Sequence, residues 1–340
     1  MSQHDFATFL DQYEFGERWE IAAGDSGMNN TTRIVQAGNN RYVLRIYNNH
    51  QNKSTVLLEH EVLFGLLEQD ARLFDVPMPV ANRAGQTVTE APGGKLATLC
   101  HFIEGKRPSA ENISHIKGLG IATAALCKGL SAIKPHGEPI YDPYYKLEQS
   151  YEAIDLPAMR QIANEAGLLP EFEEQIACLQ QERERLQKEL KNIAELPRQW
   201  IHGDLNFSNS VARGDAVVGL LDFEFCTVDV RAMELAVVIV DLIDGADEGR
   251  LERIALFCEG FGSELRLTEA EANAITLLLK LRMLDVTLHF MTRWREQLDE
   301  AAILQKIVIQ AAKIVNWTGS NEPRLKALFL KHLAGVEQPL

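Results

Sequence analysis

Residues 19–47 carry a strand-like pattern of apolar and polar positions, interrupted by two stretches of turn residues. The first stretch, residues 24–30, and the second, residues 37–40, combine Gly with Asn. Asn tolerates the positive φ that tight turns require. The segment therefore predicts strands joined by two hairpins.

Residues 54–68 have a different pattern, because their apolar side chains recur at helical spacing, with Ser54 placed as the N-cap. Two further strands are predicted at residues 87–91 and 96–103, separated by a Pro-Gly-Gly-Lys turn. The order β-β-β-α-β-β therefore fills the first part of the chain.

Beyond residue 108 most segments show helical periodicity, including residues 113–133 and 156–167. Residues 171–194 place apolar side chains near a 3.5-residue spacing, interrupted by Arg183. A packed bundle helix is favoured there over a coiled-coil partner face. A strand-rich segment, residues 200–225, interrupts the helices before they resume at Arg231.

These patterns predict an α+β protein of two unequal lobes. Residues 1–103 would form a small antiparallel β-sheet lobe with one helix, and residues 104–340 a large, mainly helical lobe, with a hinge near residues 101–105. The length of 340 residues and the 46% apolar content suit two lobes with real cores and exclude disorder as the main state.

The net charge and the cysteine content indicate which binding partners and which cellular compartment to expect. The net charge of -14 repels nucleic-acid phosphates and anionic membranes, and the sequence shows no basic patch to override it. The five cysteines are widely spread without metal or redox spacing, which favours a reducing compartment. With no visible signal peptide and no apolar run of membrane-spanning length, we expect a cytoplasmic protein. The oligomeric state is left open.

The strand-rich segment also contains the candidate chemistry. His202 and Asp204 precede Asn209, and a turn at residues 213–215 separates two β-prone runs, the second of which ends at Asp222. Pairing of the two runs as a hairpin would bring Asn209 beside Asp222. A carboxylate and a carboxamide oxygen at one open hairpin end suit Mg²⁺.

The order of these residues matches a kinase pattern. A catalytic-loop Asp is followed after four intervening residues by a metal-binding Asn, and later by a metal-binding Asp. Asp204 is therefore predicted to accept the proton of an attacking hydroxyl, and Asn209 and Asp222 to bind Mg²⁺. His202 is expected to brace the loop by hydrogen bonds rather than to transfer protons.

The sequence resembles the aminoglycoside phosphotransferase and choline kinase superfamily, whose catalytic loop carries His-Gly-Asp as residues 202–204 do. The resemblance covers roughly residues 19–294 and implies a protein-kinase-like bilobal fold that uses ATP to phosphorylate a small-molecule hydroxyl. Residues 26–32 and 42–47 look like the homoserine kinase branch of the kinase-fold type. The stretch from residue 221 to residue 236 also looks like choline kinase.

The resemblance further implies which residues bind the nucleotide. Arg45 would grip the α- and β-phosphates where protein kinases use Lys, and it would pair with Glu61 on the following helix. Glu59 is disfavoured as that partner because it lies about 200° around the helix axis. The loop that contains Ser26 and Asn29 would cover the phosphates. The backbone of His101 and Ile103 would pair with adenine.

Only 11 residues separate Asp222 from Glu234, which leaves no room for the activation loop with which protein kinases dock peptides. A small acceptor is therefore predicted, with Arg282 as a carboxylate clamp and an acid as the ammonium partner. The plainer interpretation is that Arg282 and Asp285 belong to a solvated or salt-bridged face of one helix. The candidate acceptor-site residues are Glu224, Asp229, Arg282 and Asp285.

Three alternatives stay open from the sequence. Another branch of the superfamily, acting on choline, a sugar or an aminoglycoside, would keep every catalytic role. A protein kinase is less favoured because this sequence has no room for an activation loop. A non-catalytic nucleotide sensor is disfavoured because it need not retain the base at Asp204.

Overall fold

The structure, a computed structural model, describes residues 3–23, 30–48, 52–69, 73–91, 93–245 and 248–335. Its elements in chain order are α1 (Gln3–Leu10), β1 (Trp19–Ala23), β2 (Asn30–Ala37), β3 (Asn40–Tyr47), α2 (Lys53–Leu67), β4 (Val88–Glu90), β5 (Leu96–His101), α3 (Ile113–Ala132), α4 (Leu147–Ser150), α5 (Leu156–Glu165), α6 (Glu173–Gln187), α7 (Leu190–Ile193), β6 (Arg198–Ile201), β7 (Ser210–Arg213), β8 (Ala216–Leu220), β9 (Thr227–Val230), α8 (Met233–Asp244), α9 (Arg250–Glu264), α10 (Glu269–Arg295), α11 (Ala301–Ser320) and α12 (Glu322–Leu333).

The first five strands form one antiparallel sheet in the order β1-β2-β3-β5-β4, and the larger remainder of the described chain is mainly helical. This confirms the predicted α+β, two-lobe fold and both N-terminal hairpins. Strand periodicity sends Leu44 and Ile46 into the core behind the sheet, whereas Val43 and Arg45 line a cleft on its other face. The boundary at residues 103 and 104 stays a prediction.

Helix α1 was not predicted. It places Phe6, Phe9 and Leu10 against the sheet, in one buried cluster with Leu44 and Ile46. The sheet would otherwise expose an apolar face, so this short helix completes the core of the smaller lobe.

Two predicted helix details are wrong. Asn52, and not Ser54, caps α2, because its side chain accepts the amide of Ser54 at 3.0 Å. The predicted helix over residues 171–194 is divided into α6 and α7. Arg183 lies only 1% exposed in α6, where its guanidinium donates to both carboxylate oxygens of Glu148. This ion pair, in which the Glu148 side chain stays 35% exposed, explains how a buried cation fits among the apolar positions of α6.

The segment after β5 is fixed to the helical lobe. Lys106 and Ala212 exchange backbone hydrogen bonds of 2.9 and 2.7 Å. Gly105 has φ 152°, and a Cβ there would lie 2.5 Å from the carbonyl oxygen of Ala212. The connection between the lobes therefore requires glycine at this close approach.

Candidate active site

A cleft of about 690 Å³ lies between the sheet and the helical lobe. Val43 and Ile103 line its apolar side, and Arg45, Asp204 and Asp222 line its polar side. An apolar surface with a few converging charged groups is the usual form of a small-molecule site.

The loop after β6 is held in place from beneath. Its His202 is fully buried, with Nε2 donating to the carbonyl of Leu221 at 2.9 Å and Nδ1 accepting the amide of Asp204 at 3.2 Å. Each ring nitrogen is occupied by backbone, which confirms that His202 braces the loop. Gly203 has φ 79°, and a Cβ there would lie 2.8 Å from the carbonyl oxygen of Phe225.

Glu234 anchors the same loop and was not assigned this role from the sequence. Its Oε2 accepts the amides of His202 at 2.6 Å and of Gly203 at 3.4 Å. The carboxylate is completely buried, and this burial raises its pKa. A lone acid inside the apolar start of α8 is the sequence signal that could have indicated it, because buried acids need partners.

Asp204 lies at the cleft with a donor on each carboxylate oxygen. Nη2 of Arg282 donates to Oδ1 at 2.6 Å, and Nδ2 of Asn209 donates to Oδ2 at 3.2 Å. Burial raises the pKa of Asp204 to about 6, although Arg282 opposes the rise. The group is ionised at neutral pH yet more basic than an ordinary aspartate, as a proton acceptor should be.

The predicted hairpin is confirmed. Strands β7 and β8 pair in antiparallel register, and the amide of Leu221 donates to the carbonyl of Asn209 at 2.8 Å. Asn209 therefore stands beside the residue that precedes Asp222. Asp222 itself has φ 68°, in the left-handed region that Asp tolerates better than most residues. The structure thus brings Asp204, Asn209 and Asp222 to one side of the cleft.

The donor set fits a magnesium ion. Nδ2 of Asn209 also donates to the backbone oxygen of Asp204 at 2.9 Å. The side-chain oxygen of Asn209 therefore points away from the backbone carbonyl of Asp204. Asp222 contributes a partly exposed carboxylate. Within the described residues no cluster of three or more His, Cys, Asp or Glu groups could hold a metal by itself. A site with two protein oxygens suits Mg²⁺, which keeps waters and takes phosphate ligands.

Arg45 is surrounded by three carboxylates. Its guanidinium contacts Glu59 at 3.1 Å and Glu224 at 3.2 Å, and it also pairs with Asp222. The predicted pairing with Glu61 is wrong. The Glu61 side chain is 41% exposed and accepts the amide of His136, whereas that of Glu59 is only 10% exposed. The two acids face opposite sides of α2, and Glu59 is on the side that meets β3.

Glu224 belongs to this cluster around Arg45 and not to the acceptor site where it was predicted. Its Oε2 accepts Nδ2 of Asn30 at 2.8 Å as well as Nη2 of Arg45. The short 3-10 turn after Asp222 directs Glu224 back toward β2 and β3, which sequence spacing alone could not show. Ser26 and Asn29, the predicted phosphate-loop residues, lie outside the described residues.

The predicted adenine-binding backbone lies at the cleft. His101 and Ile103 both line it, and the amide of His101 donates to the carbonyl of Met78 at 3.0 Å. Since that amide is engaged, the His101 carbonyl and the Ile103 amide are the groups that could meet a base.

The predicted acceptor-site residues have separate environments. Arg282 contacts Asp204 and the hydroxyl of Tyr144, and Asp285 accepts the hydroxyl of Tyr151 at 3.1 Å. Asp229 is wrong as an acceptor ligand, because it is 0% exposed and both of its oxygens accept backbone amides, those of Tyr144 and Val230. It holds the loop that carries Tyr144 instead.

This fold and site define a kinase of small molecules, and the chain belongs to the phosphotransferase enzyme family, whose model matches residues 20–272. A homoserine kinase of Brucella anthropi is 27% identical over 290 residues, which cover 82% of this chain and 81% of that protein. The predicted superfamily resemblance is therefore confirmed.

Solved structures show the same kinase-like fold. A microcompartment-associated aminopropanol kinase matches with a TM-score of 0.74 at 17% identity, covering 95% of this chain and 98% of that one. An amicoumacin kinase in complex with AMP-PNP and Ca²⁺ matches with a TM-score of 0.66 at 16% identity, covering 91% of each chain. In the described part of the chain, every helix is too short or too polar to cross a bilayer.

Proposed function

We propose that this protein transfers the γ-phosphate of ATP, with Mg²⁺, to the hydroxyl of a small amino acid or amino alcohol, with L-homoserine as the first acceptor to test. The observation that carries this proposal is the convergence of Asp204, Asn209 and Asp222 on one cleft. The homoserine kinase relative supports the acceptor, and the aminopropanol kinase fold supports an amino alcohol as the second candidate.

The nucleotide would enter along the sheet side of the cleft. Val43 and Ile103 offer the apolar surface for adenine, and the His101 carbonyl and Ile103 amide offer hydrogen bonds to its edge. Arg45 would turn from Asp222 to the phosphates, to which a guanidinium binds strongly. Glu59 would keep Arg45 on the cleft side of β3.

Asn209 and Asp222 would hold Mg²⁺, which supplies charge neutralisation at the phosphates when bound. Asp204 would orient the acceptor hydroxyl and take its proton as the new oxygen–phosphorus bond forms and the bond from the γ-phosphorus to the bridging oxygen breaks, with ADP as the leaving group. Phosphoryl transfer depends mainly on positioning and charge stabilisation, so these groups supply what the chemistry needs.

Asp285 is the candidate partner for the acceptor's ammonium group. It lies one helical turn from Arg282 on α10, and Tyr151 donates to one of its two oxygens. Burial raises the pKa of Asp285 to about 6, so the carboxylate is charged at neutral pH and would be stabilised by a cation.

All five cysteines are unpaired, which supports a reducing compartment such as the cytoplasm.

A coupled ADP-release screen tests this function. The panel contains L-homoserine, 1-amino-2-propanol, choline, methylthioribose and an aminoglycoside, each with and without Mg²⁺. We expect metal-dependent ADP release with L-homoserine or the amino alcohol. Release no faster than that of the Asp204→Asn variant with every acceptor would contradict the proposal.

A further inference from the structure

Arg282 takes part in a closed ring of contacts around Asp204. Its Nη2 donates to Asp204 Oδ1 at 2.6 Å, and its Nη1 donates to the hydroxyl of Tyr144. That hydroxyl in turn donates to the carbonyl of Gly203 at 2.8 Å. The ring thus returns to the residue that precedes Asp204, and it ties the carboxylate to its own backbone.

The ring fixes one torsion that is otherwise soft. The χ2 rotation of an aspartate carboxylate is broad and roughly two-fold. Here Arg282 holds Oδ1, while Nδ2 of Asn209 holds Oδ2 at 3.2 Å. The carboxylate therefore has one orientation in which both oxygens are satisfied.

Tyr144 is itself held rigidly. Its amide donates to Oδ2 of Asp229 at 2.5 Å, and the fully buried Asp229 also accepts the amide of Val230. The ring consequently ties the catalytic loop to α10 and to the turn before α4, and β9 supports that turn from outside the loop. Such external support is what keeps a reacting group within a productive geometry.

We infer that Arg282 and Tyr144 are positioning residues that orient the carboxylate of Asp204 for any acceptor. Nη2 of Arg282 donates to Asp204 and Nη1 to Tyr144, so we assign Arg282 to the base, in place of the role as a carboxylate clamp expected from the sequence. The inference rests on the proposed function in one respect, namely that Asp204 receives the proton.

Kinetics with two acceptors separate the roles, because L-homoserine carries a carboxylate and 1-amino-2-propanol does not. For Arg282→Met we expect kcat to fall about 10²-fold with both acceptors and KM to stay close to that of the wild type, since a small misplacement of a reacting group has this effect. Arg282→Lys should recover only part of the loss, because an ammonium cannot span both partners. Tyr144→Phe should lower kcat by up to about tenfold.

Matched controls exist in the same elements. Arg295→Met removes an exposed guanidinium of α10 whose hydrogen bond within the described residues is to the carbonyl of Ala153, and Tyr145→Phe removes a hydroxyl that accepts from Arg198. Both should keep wild-type kcat. A rise of KM for L-homoserine alone, with kcat unchanged, would overturn the inference in favour of a carboxylate clamp, and so would an unchanged kcat and KM.

A crystal structure of nucleotide-free Arg282→Met decides the point without turnover. We expect the Asp204 carboxylate to rotate away from Asn209 or to occupy two orientations. An unmoved carboxylate would refute the positioning role. If the wild-type protein phosphorylates neither acceptor, the proposed function fails while this measurement still tests Arg282 and Tyr144.

Discussion

Replacing Asp204 by Asn tests the proposed base most directly, because it exchanges one carboxylate oxygen for an amide nitrogen of similar size. Arg282 can still donate to the oxygen of the new side chain, as it does to Oδ1 at 2.6 Å. The amide nitrogen would then face Nδ2 of Asn209, which now donates to Oδ2 at 3.2 Å. The variant therefore keeps the side-chain volume and the contact with Arg282, but it loses the hydrogen bond from Asn209 and the proton acceptor.

The expected loss of kcat is about 10²–10⁴-fold, the usual contribution of a general base. This corresponds to about 3–5 kcal/mol of transition-state stabilisation. Stability should not fall. The folded-state pKa of Asp204 is about 6 against an ordinary 3.8, so the ionised carboxylate costs stability as pH rises through that range. A neutral Asn avoids this cost, and we expect Tm at pH 7.5 to match or exceed that of the wild type.

The assay is coupled ADP release with the best acceptor of the panel, accompanied by calorimetric titration of Mg²⁺ with a non-hydrolysable ATP analogue. Nucleotide affinity should stay close to that of the wild type, since Asp204 is not one of the proposed metal ligands. Asp215→Asn is the matched control, because this exposed carboxylate lies on the turn of the same hairpin and, within the part of the chain that the structure describes, accepts a hydrogen bond from Asn112. A variant at Asp204 that keeps more than a tenth of wild-type kcat would refute the assignment of the base.

Three other changes test the remaining parts of the site. Asp222→Ala should weaken Mg²⁺-dependent nucleotide binding about 10–100-fold. Binding without metal should not weaken, because Arg45 loses a carboxylate that competes with the phosphates. Equal effects in the titrations with and without metal would contradict the metal role. Glu59→Gln should flatten the pH dependence of stability. Burial raises the pKa of Glu59 to about 7 from 4.5, so the folded state binds the proton more tightly than the unfolded state, and stability declines as the pH rises between these values. Chemical denaturation at pH 5 and pH 7 measures the change in the free energy of unfolding. An identical change for the variant and the wild type would disprove this prediction. Gly203→Ala should abolish turnover and lower Tm, because a Cβ would lie 2.8 Å from the Phe225 carbonyl at a φ of 79°; a variant with wild-type Tm and kcat would show that the loop can relax.

Sequence pattern was most informative where the chemistry is local in the chain. The turn at residues 213–215 between two β-prone runs determined the hairpin that brings Asn209 near Asp222. The closeness of Asp204 and Asn209 was likewise predictable, because the two residues lie five positions apart on one tight loop.

The contacts of acidic residues on α2 and β9 were harder to predict from the sequence. Helical geometry showed that Glu59 and Glu61 lie on different sides of α2, but only the packing of α2 against the sheet decides which side meets Arg45. Similarly, the buried position of Asp229 depends on the pairing of β6 with β9, a contact that joins distant segments.

The sequence by itself determined the two-lobe organisation, the family resemblance and the oxygen-bearing residues at the cleft, because periodicity and short loops act over a few residues. The tertiary structure decided which charges meet between distant parts of the chain. Arg45 finds Asp222 and Glu224 at separations of 177 and 179 residues, and Arg282 finds Asp204 at 78. Such pairs arise from how whole elements pack, and no local pattern encodes the side of a helix or strand that will be covered.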